Sequence, residues 1–391
     1  MKVLRILNRF NVGGPTHNAT FLTKFLAPDF QTKLIAGKKL DSEATSEYIL
    51  KDQEIDYTIL KNMNRSLNIY KDIKAFFEIR KIIKDFKPDI VHTHASKSGA
   101  LGRLAAISLK VPLIFHTFHG HVFHSYFGNL KTSFYIAVER FLAKKSSAIL
   151  AISETQRDEL VNTYKICNID KVKVVPLGFN LEKFQENISL NRKKFRNEFH
   201  LSQDEIAIGI IGRLTAIKNH KFFFDAIYKC KSQMKNPIKV FVIGDGEDFN
   251  FLVDYLSQLD LTVSTPNNIN HDALIHFTSW RSDMHCIYSG LDIVALTSLN
   301  EGTPVTLIEA QAANKPVISS NVGGVKDIIK EGMTGLLSNV DDMDSFAKNL
   351  IKLINNNELR NKMGENGYEN VSKEFDYKRL VNDVKSLYNN F

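Results

Sequence analysis

The chain has 391 residues, 43% of them hydrophobic and 24% charged, with a formal net charge of +8. That length exceeds what one hydrophobic core usually serves, so two domains are expected, and the composition excludes a disordered, fibrous or membrane-embedded chain. Three cysteines, Cys167, Cys230 and Cys286, stand far apart and in no CxxC pair. They exclude a disulfide framework and a zinc ribbon and fit a reducing, cytoplasmic setting.

The first run, KVLRIL, is apolar but broken by Arg5, which reads as a strand over 2–7 rather than as a signal peptide. No apolar stretch approaches the roughly 20 residues of a membrane span. The strand leads into Asn11-Val12-Gly13-Gly14-Pro15 and a helix. Glycines there let backbone approach a ligand, Pro15 suits a first helical turn, and a helix start favours an anion; a tight turn with nothing bound is the plain alternative. Further strands are expected at 32–36, 89–93, 113–117, 147–152 and 172–175. Between them lie helices at 68–86, stopped by Pro88, and at 130–145, where Phe134, Val138, Phe141 and Leu142 share one face.

Around Pro176-Leu177-Gly178 the alternation pauses, and a polar stretch runs to about 203. A second series follows, with strands at 206–211, 238–243, 292–297 and 316–319 and helices at 218–233, 246–258, 304–314 and 342–355. The segment 261–275 fits neither period and reads as a long loop, and helices at 357–371 and 376–389 close the chain. The alternation predicts an α/β protein of two Rossmann-like, doubly wound domains facing a central cleft. Residues 1–186 form the first domain, 187–372 the second, and 373–391 a C-terminal helix placed to pack back on the first. Residues 1–186 hold 28 Lys and Arg against 18 Asp and Glu, whereas 187–391 hold 23 against 25. A surplus on one domain can draw it to anionic headgroups, a lipid diphosphate or nucleic acid, or can be a solvated lysine-rich surface.

Neither Gly13-Gly14 nor Gly244-Asp245-Gly246 completes GxGxxG, which argues against a dinucleotide-binding oxidoreductase. Gly212-Arg213 follows the strand IAIGII, with Lys218 five residues on. A guanidinium fork and a compact ammonium can together neutralise two adjacent phosphates. The most informative segment is Leu296 to Asn314, where Glu301 lies in a loop, Thr303 is placed to cap, Pro304 to open a helix, and Glu309 to fall inside it. Amides at that helix start can face a diphosphate, Glu309 can accept from ribose hydroxyls, and Glu301 can hold hydroxyls of a transferred sugar.

With GRLTAIKNH, VIGDGE, FTSWRSD, EGTPVTLIE and NVGGVKDII in this order, the chain resembles the retaining GT-B glycosyltransferases of the family 4 type, which carry two glutamates separated by seven residues. The resemblance implies Arg213 and Lys218 as phosphate ligands, Glu309 on the ribose, Glu301 at the donor sugar, and a base-binding turn at Trp280 and Arg281. With Gly14, Thr303 and Pro304, these residues make the expected donor site. Thr303-Pro304 replaces the family's common aromatic–glycine pair.

His92, His94, His116, His119, His121 and His124 crowd two predicted strand ends. No cysteines or HExxH helix accompany them, so a metal is not expected. The resemblance makes His119 in HTFHGH the active-site histidine, catalytic together with Glu301. It assigns His94, Ser96 and Lys97 in HASKSG to the acceptor side. Relatives that build bacterial surface polysaccharides share such stretches, which points to a glycan or polyprenyl-diphosphate-linked acceptor. The aromatic run His121–Phe127 can touch a lipid headgroup layer or cover the domain's own core.

The expected activity is therefore transfer of a sugar, UDP-linked by preference, with retention, no metal cofactor and no nucleic-acid partner. It would act in the cytoplasm, with peripheral contact at the inner membrane face through the first domain. A GT-B nucleotide-sugar epimerase and a non-catalytic nucleotide-sugar-binding protein are the alternatives.

Overall fold

Short aliphatic runs, buried along nearly their whole length, form two parallel sheets, as strands covered on both faces require. The structure, a computed structural model, describes residues 1–10, 14–39, 46–64, 68–120 and 129–391. Two units divide the chain: Met1–Phe179 with Phe375–Phe391, and Asn180–Glu374. The division falls at Phe179 rather than at 186 because Phe179 is tied to the returning chain. Its amide donates to the Phe375 carbonyl at 2.8 Å, and the Tyr377 amide donates to the Phe179 carbonyl at 3.1 Å.

Unit 1 runs β1 (Lys2–Leu7), α1 (Gly14–Phe25), β2 (Gln31–Gly37), α2 (Glu47–Asp52), β3 (Tyr57–Leu60), α3 (Ile69–Phe86) and β4 (Ile90–His94). It continues through α4 (Ser96–Ser108), β5 (Leu113–Thr117), α5 (Asn129–Lys145), β6 (Ala148–Ala151), α6 (Glu154–Asp158) and β7 (Val172–Val174). The sheet order is β3-β2-β1-β4-β5-β6-β7. Unit 2 holds α7 (Ile188–Glu198), β8 (Ile206–Ile211), α8 (His220–Cys230), β9 (Ile238–Ile243), α9 (Phe249–Gln258), β10 (Val263–Ser264) and β11 (Ile275–Ser279). Then come α10 (Met284–Gly290), β12 (Ile293–Leu296), α11 (Val305–Ala312), β13 (Val317–Ser320), β14 (Gly335–Ser338), α12 (Met343–Asn355) and α13 (Asn357–Glu374). Its order is β10-β11-β9-β8-β12-β13-β14. The last helix, α14 (Tyr377–Asn389), belongs to unit 1, where Leu380, Val384 and Leu387 pack with Leu22 and Leu26 of α1.

Three expectations change. The segment 261–275 is not a plain loop: Val263–Ser264 pairs with Ile275–His276, adding two strands beyond β9. The polar stretch to 203 contains α7, whose Phe195 closes against Gly290 of α10 so tightly that a Cβ on that glycine would sit 2.2 Å from the ring. On α5 the predicted apolar face is not a buried one, because Phe134 and Phe141 are 65% and 52% exposed while Leu142 is fully buried. Edge strands β3 and β14, four residues each, have runs too short to stand out in the sequence.

Register then places the polar residues. Arg5 of β1 lies beside His92 of β4, and His94 beside Thr117 of β5. Since strand side chains alternate, His92 and His94 share one sheet face and Thr93 takes the other.

Candidate functional site

In unit 2 the polar residues gather where β8 and β12 end. Lys218 closes a short 3-10 turn after β8, and its Nζ lies 2.6 Å from Glu301 Oε1. Ser298 Oγ donates to the same oxygen at 2.6 Å. The pair is partly exposed, 22% and 12%, so water is not excluded and the ion pair remains open to a competing anion. Arg213 is exposed and has no hydrogen-bond or ion-pair partner among the described residues.

The Glu301 loop is held from behind by Gly323 and Gly324. The Gly324 amide donates to the Glu301 carbonyl at 3.1 Å. A Cβ at Gly323 would sit 2.0 Å from that carbonyl oxygen and one at Gly324 1.9 Å from the Gly302 oxygen. Gly323 also has φ of +47°. Sequence reading noted NVGGVKDII as a motif without giving it this task; a glycine pair just after a buried strand is the signal that was available.

The helix start differs from expectation. Pro304 is itself the N-cap, α11 begins at Val305, and no side chain caps it, so Thr303 does not serve as the cap. The Leu307 amide already donates to the Pro304 carbonyl at 3.1 Å, and the amides before it are left for another acceptor. Glu309 accepts from Tyr288 Oη at 3.1 Å, and burial pushes its carboxyl above the usual range. Tyr288 is fully buried and meets Phe184 edge-on at 5.5 Å, a support that sequence reading missed. Arg281 is already committed: Nε and Nη2 bind Asp283 at 2.8 and 2.7 Å, and Nη1 and Nη2 bind Glu198 at 2.5 and 3.1 Å. The structure does not bring it to the Lys218–Glu301 group; Trp280 beside it is exposed.

In unit 1 the histidines form an array in which His92, His94 and His116 are buried and His119 is partly buried. His92 and His94 stack at 4.5 Å, and His94 and His119 at 5.1 Å. His94 Nδ1 meets His119 Nε2 at 2.8 Å, and His116 Nδ1 meets Thr93 Oγ1 at 2.8 Å on the other sheet face. Burial, first of all, holds His92, His94 and His116 well below the ordinary histidine value and lowers His119 to about 3, so the array is neutral near pH 7. His94 is therefore not available to an acceptor as expected: it is fully buried and both ring nitrogens are engaged. Sequence reading missed Arg5 and Tyr388, which join this array. A charge inside an apolar strand was the available sign.

Ser96 opens α4, Lys97 is paired with Asp72 of α3 at 2.5 Å, and Gly14 is the buried first residue of α1. Ala95, before Ser96, has φ of +65° and ψ of 164°, a strained position for a residue with a Cβ. Asn11 to Gly13 and His121 to Phe127 lie outside the described residues. Among the described residues no group of three or more His, Cys, Asp or Glu could hold a metal ion. No described helix is long and apolar enough to cross a membrane.

Residues 13–183 match the model of glycosyltransferase family 4, and residues 191–370 that of the glycosyl transferases group 1. A UDP-Gal:alpha-D-GlcNAc-diphosphoundecaprenol alpha-1,3-galactosyltransferase of Escherichia coli is 30% identical over 349 residues, 89% of this chain and 87% of that protein. The capsular polysaccharide biosynthesis glycosyltransferase CapM of Staphylococcus aureus is 29% identical over 87% of this chain and 86% of its own. Among solved structures, Anabaena HepE in complex with UDP superposes with a TM-score of 0.81 at 17% identity, each chain covered in full. The lipopolysaccharide outer core galactosyltransferase WaaB gives 0.73 at 19%, again over both whole chains. These two share the fold. With one family model over each unit and a relative matched along most of its length, the chain belongs to the GT-B glycosyltransferases of the group 1 and family 4 type.

Proposed function

We propose that this glycosyltransferase takes a sugar from a UDP-linked donor held by unit 2 and transfers it, with retention, to a polyprenyl-diphosphate-linked glycan in surface-polysaccharide synthesis. The observation that carries the donor site is the convergence on Glu301 of Lys218 and Ser298, beside a start of α11 that no side chain caps and an Arg213 without a partner among the described residues. A diphosphate would draw Lys218 and Arg213 to its oxygens and accept from the first amides of α11. Glu309 would then take a ribose hydroxyl, and Glu301, released from Lys218, the hydroxyls of the sugar.

In the reaction the bond from the sugar's anomeric carbon to the β-phosphate oxygen breaks. A bond from that carbon to the acceptor oxygen forms on the same face. The acceptor's proton goes to the departing diphosphate, and UDP and the extended glycan are released. Cationic side chains and helix amides supply the stabilisation of the leaving group that a metal ion supplies in other folds, so the reading is of a metal-independent enzyme. In this reading His119 is the active-site histidine, and Ser96 and Lys97 belong to the acceptor side. The galactosyltransferase and CapM relatives, named for a diphosphoundecaprenol substrate and a capsular polysaccharide, support the acceptor class, and the UDP complex of HepE supports the donor.

A second part of the proposal is that unit 1 meets an anionic membrane surface in the cytoplasm. On α3, Ile69, Tyr70, Ile73 and Phe77 are 81%, 68%, 52% and 60% exposed. At 100° per residue they share an arc of about 140° with Lys74, Arg80, Lys81 and Lys84 and with no acid. Apolar and basic groups interleaved in this way suit a headgroup layer. Sedimentation with phosphatidylglycerol vesicles should carry the protein down, and Phe77→Ser with Lys81→Glu should release it. Equal binding to phosphatidylcholine alone would contradict the charge argument.

The test of function is incubation of the full chain with a panel of UDP-sugars and an undecaprenyl-diphosphate-linked sugar in EDTA. Metal-free glycan extension is expected. Steady epimer formation without acceptor, or no turnover with any donor, would overturn the reading.

A further inference from the structure

Arg5 is fully buried, and no carboxylate among the described residues pairs with it. A buried cation without an acid is costly, so its neighbours show what it is kept for. Nη1 lies 3.3 Å from His92 Nδ1 and 3.3 Å from His94 Nε2, and Nη2 donates to Tyr388 Oη at 3.4 Å. Tyr388 Oη stands 2.5 Å from the same His92 Nδ1.

A guanidinium only donates and does not lose its proton. Each ring nitrogen facing it must therefore carry a lone pair. His94 accepts at Nε2, so the proton of its neutral ring is on Nδ1 and is donated to His119 Nε2 at 2.8 Å. His119, accepting at Nε2, has its own proton on Nδ1. That nitrogen is buried and without a partner among the described residues. The opposite assignment would set a His94 N–H against the Arg5 N–H. His92 follows the same logic: it accepts at Nδ1 and donates from Nε2 to Thr117 Oγ1 at 2.8 Å.

We infer that Arg5 is a positioning residue for the transfer reaction: through His94 it fixes the tautomer of His119, which then presents Nδ1–H, not a lone pair, to a sugar oxygen of a substrate. His119 is on this account a fixed hydrogen-bond donor and not a base. Tyr388 holds the other arm of the guanidinium, so the C-terminal helix α14 completes the device. The inference rests on the transferase reading for its ligand and its turnover readout, but its spectroscopic readout is independent of that reading.

The experiment is nitrogen-15 NMR of the full chain labelled at histidine, with His119→Asn to assign the signal. In the wild type His119 is expected neutral and protonated at Nδ1 across about pH 6 to 8, where an unperturbed histidine titrates. A UDP-sugar should shift that nitrogen and UDP alone should not. Arg5→Met should let the Nε2-protonated form appear, while Arg5→Lys, which keeps a group that only donates, should not. In turnover, Arg5→Met is expected to lower kcat/KM roughly tenfold to a hundredfold, with Arg5→Lys recovering most of it. His119→Asn, whose amide can donate from the Nδ1 position, should exceed His119→Gln. A wild-type His119 protonated at Nε2 or at both nitrogens, or a tautomer unmoved in Arg5→Met, would overturn the inference. Should Arg5→Met fail to fold, the wild-type spectrum and the Asn-against-Gln comparison decide. The expected tautomers with no sugar transfer at all would sink the transferase reading and leave the relay standing.

Discussion

Both units set their polar residues at the carboxyl ends of parallel strands, but with opposite electrostatics. In unit 1, Arg5, His92, His94 and Tyr388 are buried and neutral apart from the one guanidinium, and every bond they make holds a ring in place. In unit 2, Lys218, Glu301 and Arg213 are charged and reachable by water, and the only ion pair among them is one a ligand can exchange. The contrast teaches that one strand-end plan can hold a dry, hydrogen-bonded array in one unit and a wet, exchangeable ion pair in the other.

The sharpest way to break the comparison is at the wet edge. Lys218→Ala should lower kcat/KM by about 100- to 1000-fold, the scale of losing one preorganised charge donor. It also leaves Glu301 without its cation, so the thermal midpoint should fall. Arg213→Ala should cost less activity and leave the midpoint unchanged, because Arg213 has no hydrogen-bond or ion-pair partner among the described residues. Near-normal turnover in both would separate the cluster from the chemistry.

Gly324→Ala tests the backing of the same loop. A Cβ meeting the Gly302 oxygen must push the Glu301 turn aside, an overpacking worth about 1–3 kcal/mol in an unfolding titration. Normal stability together with normal turnover would show that the loop yields freely.

Acid should separate the units. The folded-state values of His92, His94, His116 and His119 are depressed, so below an unfolded value of about 6.5 the unfolded chain binds more protons and stability falls as pH drops. Each contributes a slope of up to about 1.4 kcal/mol per pH unit, down to its own folded value, about 3 for His119. Unit 2 has two such residues, His220 and His276, each lowered to about 4. Hydrogen exchange between about pH 6.5 and 4.5 should show unit 1 opening first. The reverse order would contradict a neutral array. The smallest effect is expected from Tyr288→Phe, which removes one bond to Glu309 and should weaken UDP binding by about 1 kcal/mol in a calorimetric titration.

Much of this contrast is written in local pattern. Short apolar, β-branched runs mark β1, β4, β8 and β9 to within a residue or two, and the EGTPVTLIE spacing leads to Glu301 and Glu309. What local pattern could not carry is who meets whom. Arg5 joins His92 only through strand register, and Tyr388 arrives from nearly 300 residues away. Arg281 looked free to bind a base until Glu198 of α7 came to face it. Thr303 looked like a cap because its residue type suits one, yet the chain turns one residue later, at Pro304.

The account turns most directly on where a diphosphate settles. Titration of UDP in EDTA into the full chain and into Lys218→Ala and Arg213→Ala should show metal-free binding that each variant weakens by about tenfold or more, the scale of one charge-assisted hydrogen bond. Binding that needs a metal ion, or that neither variant disturbs, would contradict it.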